Sequence, residues 1–186
     1  LMAMAVLLKF AVLLLAPIVA IWLWRRHTSP FERWRQLVVW IGVPGALAVA
    51  LYAPFWGGAR TLTFLHRGQY LTGSVASILV DVLRNVMGIS ASRTVVSGVA
   101  LILFTVVYAR VWWRVRPDVQ GLFYAAHDSI LWYLLIACLW LQPWYLAWLA
   151  PFTSLTRGSR RVWLLIGLCL WLEAMALVGY AAFPAP

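Results

Sequence analysis

Few side chains in this 186-residue chain can do chemistry, and they lie in or beside apolar runs. The segment Leu141-Gln142-Pro143-Trp144-Tyr145-Leu146-Ala147-Trp148-Leu149-Ala150-Pro151-Phe152 follows directly on one such run and carries a proline near each end. A lipid-spanning helix satisfies its backbone polar groups internally, and proline removes a donor from that ladder. Such a break persists at membrane depth only where protein or a water-filled cavity satisfies the freed groups. A membrane protein can build a site there. Gln142 supplies an amide able to hydrogen-bond a sugar. Trp144, Tyr145 and Trp148 supply rings that stack on a sugar or a prenyl chain, or that serve only as anchors at a membrane–water boundary.

The remaining candidates are ionisable. Arg60, His66, Arg67 and Arg84 lie in one long connection. An arginine fork grips phosphate bidentately, so these residues suit a lipid-linked phosphate, or else they touch headgroups and solvate the loop. Arg84 has Asp81 one turn away as an alternative partner. His127-Asp128 sits within an apolar run, where it reads either as a polar relay or as a pair near the headgroups. Glu173 lies midway along the last run and is expected to pair with Lys9 or to be protonated. Lys9 has the further option of snorkelling. The chain has no metal-ligand cluster, P-loop, dinucleotide fingerprint or nucleophile elbow, so no metal or cofactor is expected.

The composition says what must hold these groups. Hydrophobic residues make up 65% of the chain and charged residues 11%, and the mean hydropathy is +0.88. A soluble domain has about a quarter charged residues, so this is the composition of an integral membrane chain. The formal charge of +10 invites a nucleic-acid reading. The basic residues, however, form short clusters between apolar runs instead of one stripe, which points to anionic membrane lipids and phosphate-bearing lipid substrates. Cys138 and Cys169 both fall in apolar runs and read as small buried hydrophobes.

An all-α, polytopic transmembrane bundle of about six spans is therefore expected. The segments are Leu1–Trp24, Leu37–Ala53 with a kink at Gly42, Pro44 and Gly45, Val95–Trp113, Leu122–Leu141, Pro143–Thr156 and Val162–Phe183. If all of them cross, the arginines divide roughly ten to four between the two sides, which makes the richer side cytoplasmic. The Pro143–Thr156 piece is short for a crossing, at ~21 Å against a ~30 Å hydrocarbon core. If it re-enters instead, the charge bias disappears. The long connection from Pro54 to Thr94 is then extracytoplasmic. Within it, Ile78, Leu79, Val82, Leu83, Val86 and Met87 recur at helical spacing with Ser77, Asp81, Arg84 and Asn85 opposite, so an amphipathic helix is predicted. Thr72 or Ser74 can cap its start and Gly88 its end. The chain opens inside an apolar run without an initiator Met, so it reads as one transmembrane domain, residues 1–186, from the C-terminal part of a longer protein.

The run Pro143 to Pro151 resembles the PWYLLWLLP signature of bacterial GT-C membrane glycosyltransferases. The closest group is glycosyltransferase family 87, the polyprenyl-phosphate-mannose-dependent mannosyltransferases and their relatives. Leu8-Lys9-Phe10 through Ala16-Pro17 and Tyr52-Ala53-Pro54-Phe55-Trp56-Gly57-Gly58 are similar to other stretches of that family, in the same order. The resemblance covers most of the chain, as the C-terminal half of such an enzyme. It implies an inverting hexosyltransferase of the cell envelope. Such an enzyme takes a sugar from a polyprenyl-phosphate donor at the extracytoplasmic face and passes it to a glycan or glycolipid acceptor. The family's catalytic base is acidic and lies in a first external loop that no residue here matches, so no catalytic residue is assigned.

The expected substrate-facing set is Arg60, His66, Arg67, Gln142, Trp144 and Tyr145. Arg60 or Arg67 would stabilise the departing phosphate. Two other classes fit the same residues. A transporter or lipid flippase also uses broken helices and buried charges, and a non-catalytic membrane subunit would need its polar groups only as anchors.

Overall fold

The computed structural model describes residues 13–58, 74–138, 141–156 and 158–182. Among these residues every regular element is helical. Lys9, Arg60, His66, Arg67, Thr72 and Arg157 lie outside the described residues. The chain divides into two compact units, one made of Leu1–His66 and Ala109–Ser129, the other of Arg67–Tyr108 and Ile130–Pro186.

In the first unit, α1 (Leu15–Arg26) ends on its two arginines, and the chain turns extended at His27. Helix α2 (Pro30–Leu37) runs through a π-turn (Val38–Gly42) into α3 (Val43–Tyr52) and a 3-10 turn at Ala53–Phe55. Together they form a helical stretch of 26 residues, Pro30–Phe55. The expected disturbance at Gly42, Pro44 and Gly45 takes the form of that π-turn. Pro44 cannot donate to the carbonyl one turn back, and the ladder shifts register just before it, with Val43 N–H reaching the Val38 carbonyl.

The second unit contains α4 (Val75–Met87) and α5 (Ile89–Trp113), whose last turn belongs to the first unit. Helix α6 (Val119–Trp132) likewise starts in the first unit and continues in the second as a π-turn at Tyr133–Ala137. A 3-10 helix (Pro143–Trp148), α7 (Ala150–Leu155) and α8 (Ser159–Ala182) complete the chain order.

The amphipathic helix predicted in the long connection is α4. Ser74 caps it: Ser77 N–H donates to Ser74 Oγ at 3.1 Å, and Ser74 N–H donates to Ser77 Oγ at 3.2 Å. Gly88 ends it at φ +80° and donates to the Arg84 carbonyl at 3.0 Å. Asp81 takes Arg84 at 3.2 Å, with both side chains exposed. Burial departs from the expectation at Ser77. Ala76, Ser77 and Val80 are buried, with Ala76 and Val80 packed against Val96 of α5, whereas Val82 and Val86 stand 64% and 82% exposed. Ser77, expected on the polar face, is drawn inside by its reciprocal cap.

Among the described residues two stretches are long and apolar enough to cross a membrane, Pro30–Phe55 and Ile89–Trp113, with 0% and 17% of their apolar windows buried. They are not core helices. Leu101, Ile102 and Val106 of α5 all point outward at more than 60% exposure, an apolar surface suited to hydrocarbon. Exposed Thr105 on the same helix returns its hydroxyl to the Leu101 carbonyl at 2.8 Å. That bond leaves no unsatisfied donor where the surroundings offer no acceptor.

Several boundaries differ from expectation. Helix α5 begins at Ile89, not Val95, because Gly88 breaks the chain there and its carbonyl accepts both Ser92 N–H (3.1 Å) and Ser92 Oγ (2.7 Å). The predicted span Leu122–Leu141 starts three residues earlier and stops being helical at Cys138. Cys169, expected to be buried, is exposed, while Cys138 is buried. The Pro143–Thr156 stretch is two short helices that end to end reach only about 21 Å.

Candidate functional site

The site grows from the end of the π-turn. A π-helix is rarely sustained, and here it closes with Cys138 N–H on the Tyr133 carbonyl at 2.8 Å before the backbone turns extended at Cys138. Gln142 is also extended and heads the 3-10 helix. Proline at the first helical position loses nothing by lacking an N–H.

Three residues per turn makes side chains at i and i+3 eclipse. Leu146 and Leu149 therefore share an inner row, 4% and 1% exposed, while Gln142, Tyr145 and Trp148 share another. Tyr145 stacks on Trp148 with centroids 4.6 Å apart and an interplanar angle of 20°. Trp144 meets Tyr145 edge-on at 6.1 Å and is itself 60% exposed. Tyr145 N–H donates to the Gln142 carbonyl at 2.9 Å, which ties the amide-bearing residue to the aromatic row. Thr153 N–H bonds the Leu149 carbonyl at 2.8 Å and its hydroxyl donates to the same oxygen at 2.9 Å, so that carbonyl is satisfied within the protein.

Of the sequence-expected set, the structure brings Gln142, Trp144 and Tyr145 together. Arg60, His66 and Arg67 lie outside the described residues. Tyr133 was missed. It meets Phe104 of α5 edge-on at 5.9 Å. No sequence signal marks it, since an apolar run around a tyrosine looks the same in a π-turn as in an α-helix.

The same π-turn borders an apolar cavity of about 260 Å³. Leu79 and Leu83 of α4, Val96 and Leu103 of α5, and Leu135 and Ile136 line it. A chain-like apolar group fits such a lining, and polar chemistry does not. Two of the cavity's lining residues, Leu135 and Ile136, thus precede the aromatic row closely in sequence.

Searches of protein-family models, curated proteins and solved structures found no match to this chain.

The other ionisable candidates are elsewhere. In the first unit His127 is 1% exposed and its Nδ1 lies 3.0 Å from Asp128 Oδ1. The pair is held in α6 beside Ser129, whose hydroxyl bonds the Ala125 carbonyl at 2.7 Å. Glu173 is exposed on α8 and makes no ion pair among the described residues. Its suggested partner Lys9 lies outside them. Among the described residues no His, Cys, Asp and Glu cluster could hold a metal ion.

Proposed function

We propose that this chain is part of an integral, multi-pass membrane glycosyltransferase. The enzyme transfers a hexose, mannose by the family resemblance, from a polyprenyl-phosphate donor to an extracytoplasmic glycan or glycolipid. The observation that carries this reading is a stacked Tyr145–Trp148 row with Gln142 at its head, a few residues along the chain from Leu135 and Ile136 of an apolar cavity. The cavity suits a prenyl chain, and the row suits a sugar ring, which binds by stacking and by amide hydrogen bonds. Arg60, His66 and Arg67 are the proposed phosphate grips. The general base for the acceptor hydroxyl must come from an acidic residue in hydrogen-bond reach. No carboxylate in this chain matches the family's base, so a segment outside it supplies that step.

The test is transfer of labelled mannose from polyprenyl-phosphate mannose by membranes carrying the complete gene product. Trp144→Ala with Tyr145→Ala is expected to lower transfer ten- to a hundredfold while membrane insertion stays normal. Undiminished transfer would remove the aromatic row from the site. The extended backbone at Cys138 and at Gln142 also favours a second reading, a lipid transporter, because transporters place sites at discontinuous helices. Movement of the labelled donor across proteoliposomes with its sugar still attached would decide for that reading.

A further inference from the structure

The first unit carries a pocket of its own, about 520 Å³, at the end of α1. Val19, Leu23 and Leu122 form its apolar floor, and Trp22, Arg26 and Trp40 stand on its rim. Trp40 Nε1 donates to Gln36 Oε1 at 2.8 Å, which fixes the amide so that its two N–H donors are available to the pocket that Gln36 lines.

The charges around this pocket are unbalanced. The described residues of the unit hold seven arginines and three carboxylates. Each carboxylate already has a side-chain partner: Glu32 takes His27, itself a lining residue of the pocket, at 3.4 Å, Asp118 takes Arg116 at 3.3 Å, and Asp128 takes His127 at 3.0 Å. Arg25 is spent on the Trp113 and Val115 carbonyls, at 2.9 and 2.6 Å. Arg33 is spent on the His27 carbonyl at 2.7 Å and on the Trp24 ring. Arg26 lies over the Trp22 ring, 5.0 Å from its centroid, and makes no ion pair among the described residues. That contact sets the guanidinium carbon over the indole, and a guanidinium so placed can still meet an anion through its N–H fork.

We propose that this pocket holds one anionic phospholipid of the leaflet that surrounds it. The phosphate sits on the Arg26 fork and the Gln36 amide, and the start of an acyl chain lies over Val19, Leu23 and Leu122. Two features select a lipid over a free phosphate. The floor is hydrocarbon, and Val39 and Trp40 beside the rim are exposed at 51% and 56% on the Pro30–Phe55 stretch that can cross the bilayer. A lipid therefore reaches the pocket sideways from the membrane. The proposal does not rest on the transferase reading, whose cavity and aromatic row belong to the second unit.

Native mass spectrometry of the full chain in detergent, with added phosphatidylglycerol or phosphatidylcholine, tests it. The wild type is expected to retain phosphatidylglycerol in preference. Arg26→Gln, at an exposed position, is expected to lower that retention about fivefold, the scale of one arginine beside anionic lipid. Arg116→Gln, equally exposed but already paired with Asp118, is expected to leave it unchanged. Glycerol 3-phosphate, which has the phosphate and no chains, is expected not to displace the lipid. Equal retention by Arg26→Gln and wild type, or an equal loss in both variants, would overturn the site. Displacement by glycerol 3-phosphate would overturn the lipid as its occupant.

Discussion

At the scale of single residues, three positions carry more than their types suggest. Ser74 and Ser77 satisfy each other's backbone donors while buried, so removing one hydroxyl strands a donor inside the protein. Ser74→Ala is expected to cost about 1 kcal/mol, read as a lower melting temperature in detergent. Gly121 is required by space. An added Cβ would lie 2.8 Å from the Arg116 carbonyl and 2.8 Å from Asp118 Oδ1, which already accepts the Gly121 N–H. Gly121→Ala is expected to lose about 1–3 kcal/mol by overpacking, read by the same melt, and to loosen the turn that receives Arg25. The Ser74 cap could be read from its serine ahead of an apolar run. The Gly121 constraint could not, because it depends on how tightly the Arg116–Asp118 turn folds back over the helix start.

At the scale of elements, the breaks decide more than the helices. Gly88 separates α4 from α5 at φ +80° and ψ 160°, a conformation nearly exclusive to glycine. No side chain comes within 4 Å of a Cβ placed there, so the effect of Gly88→Ala is backbone strain alone. About 1–3 kcal/mol is expected. Circular dichroism should show the two helices kept and the melting temperature lowered. If helix content rises instead, α4 and α5 have fused and the break was not imposed by the glycine. The two π-turns stand in a different relation to the sequence. The first sits beside Pro44, whose missing donor announces a disturbance. The second, Tyr133–Ala137, has no proline within it and ends at Cys138, so neither the turn nor the placement of Tyr133 was legible. The 3-10 form of Pro143–Trp148 was legible only as a break. Its three-residue row is what stacks Tyr145 on Trp148 and buries Leu146 with Leu149.

At the scale of the whole chain, the testable claim is sidedness. Helix α5 is long and apolar enough to cross, so residues flanking it should face opposite compartments. With Cys138 and Cys169 replaced, cysteines at exposed Arg84 and Arg116 are expected to react with an impermeant thiol reagent from opposite sides of a sealed vesicle. A cysteine at Trp144 is expected to react from the Arg84 side. Labelling of Arg84 and Arg116 replacements from one side would remove the α5 crossing, and labelling of Trp144 from the Arg116 side would separate the aromatic row from the long connection. The sequence by itself determined the all-helical class, the apolar surface and the amphipathic α4, because hydrophobic spacing and charge content act locally along the chain. It also marked Gln142, Trp144 and Tyr145, since prolines in an apolar run announce a break. Only the tertiary structure decided which face of α4 is buried, that Tyr133 meets Phe104, and that Arg26 lines an apolar pocket without an ion pair among the described residues. Those outcomes depend on which distant side chains fill the space and use up the charges nearby, and no local pattern encodes that.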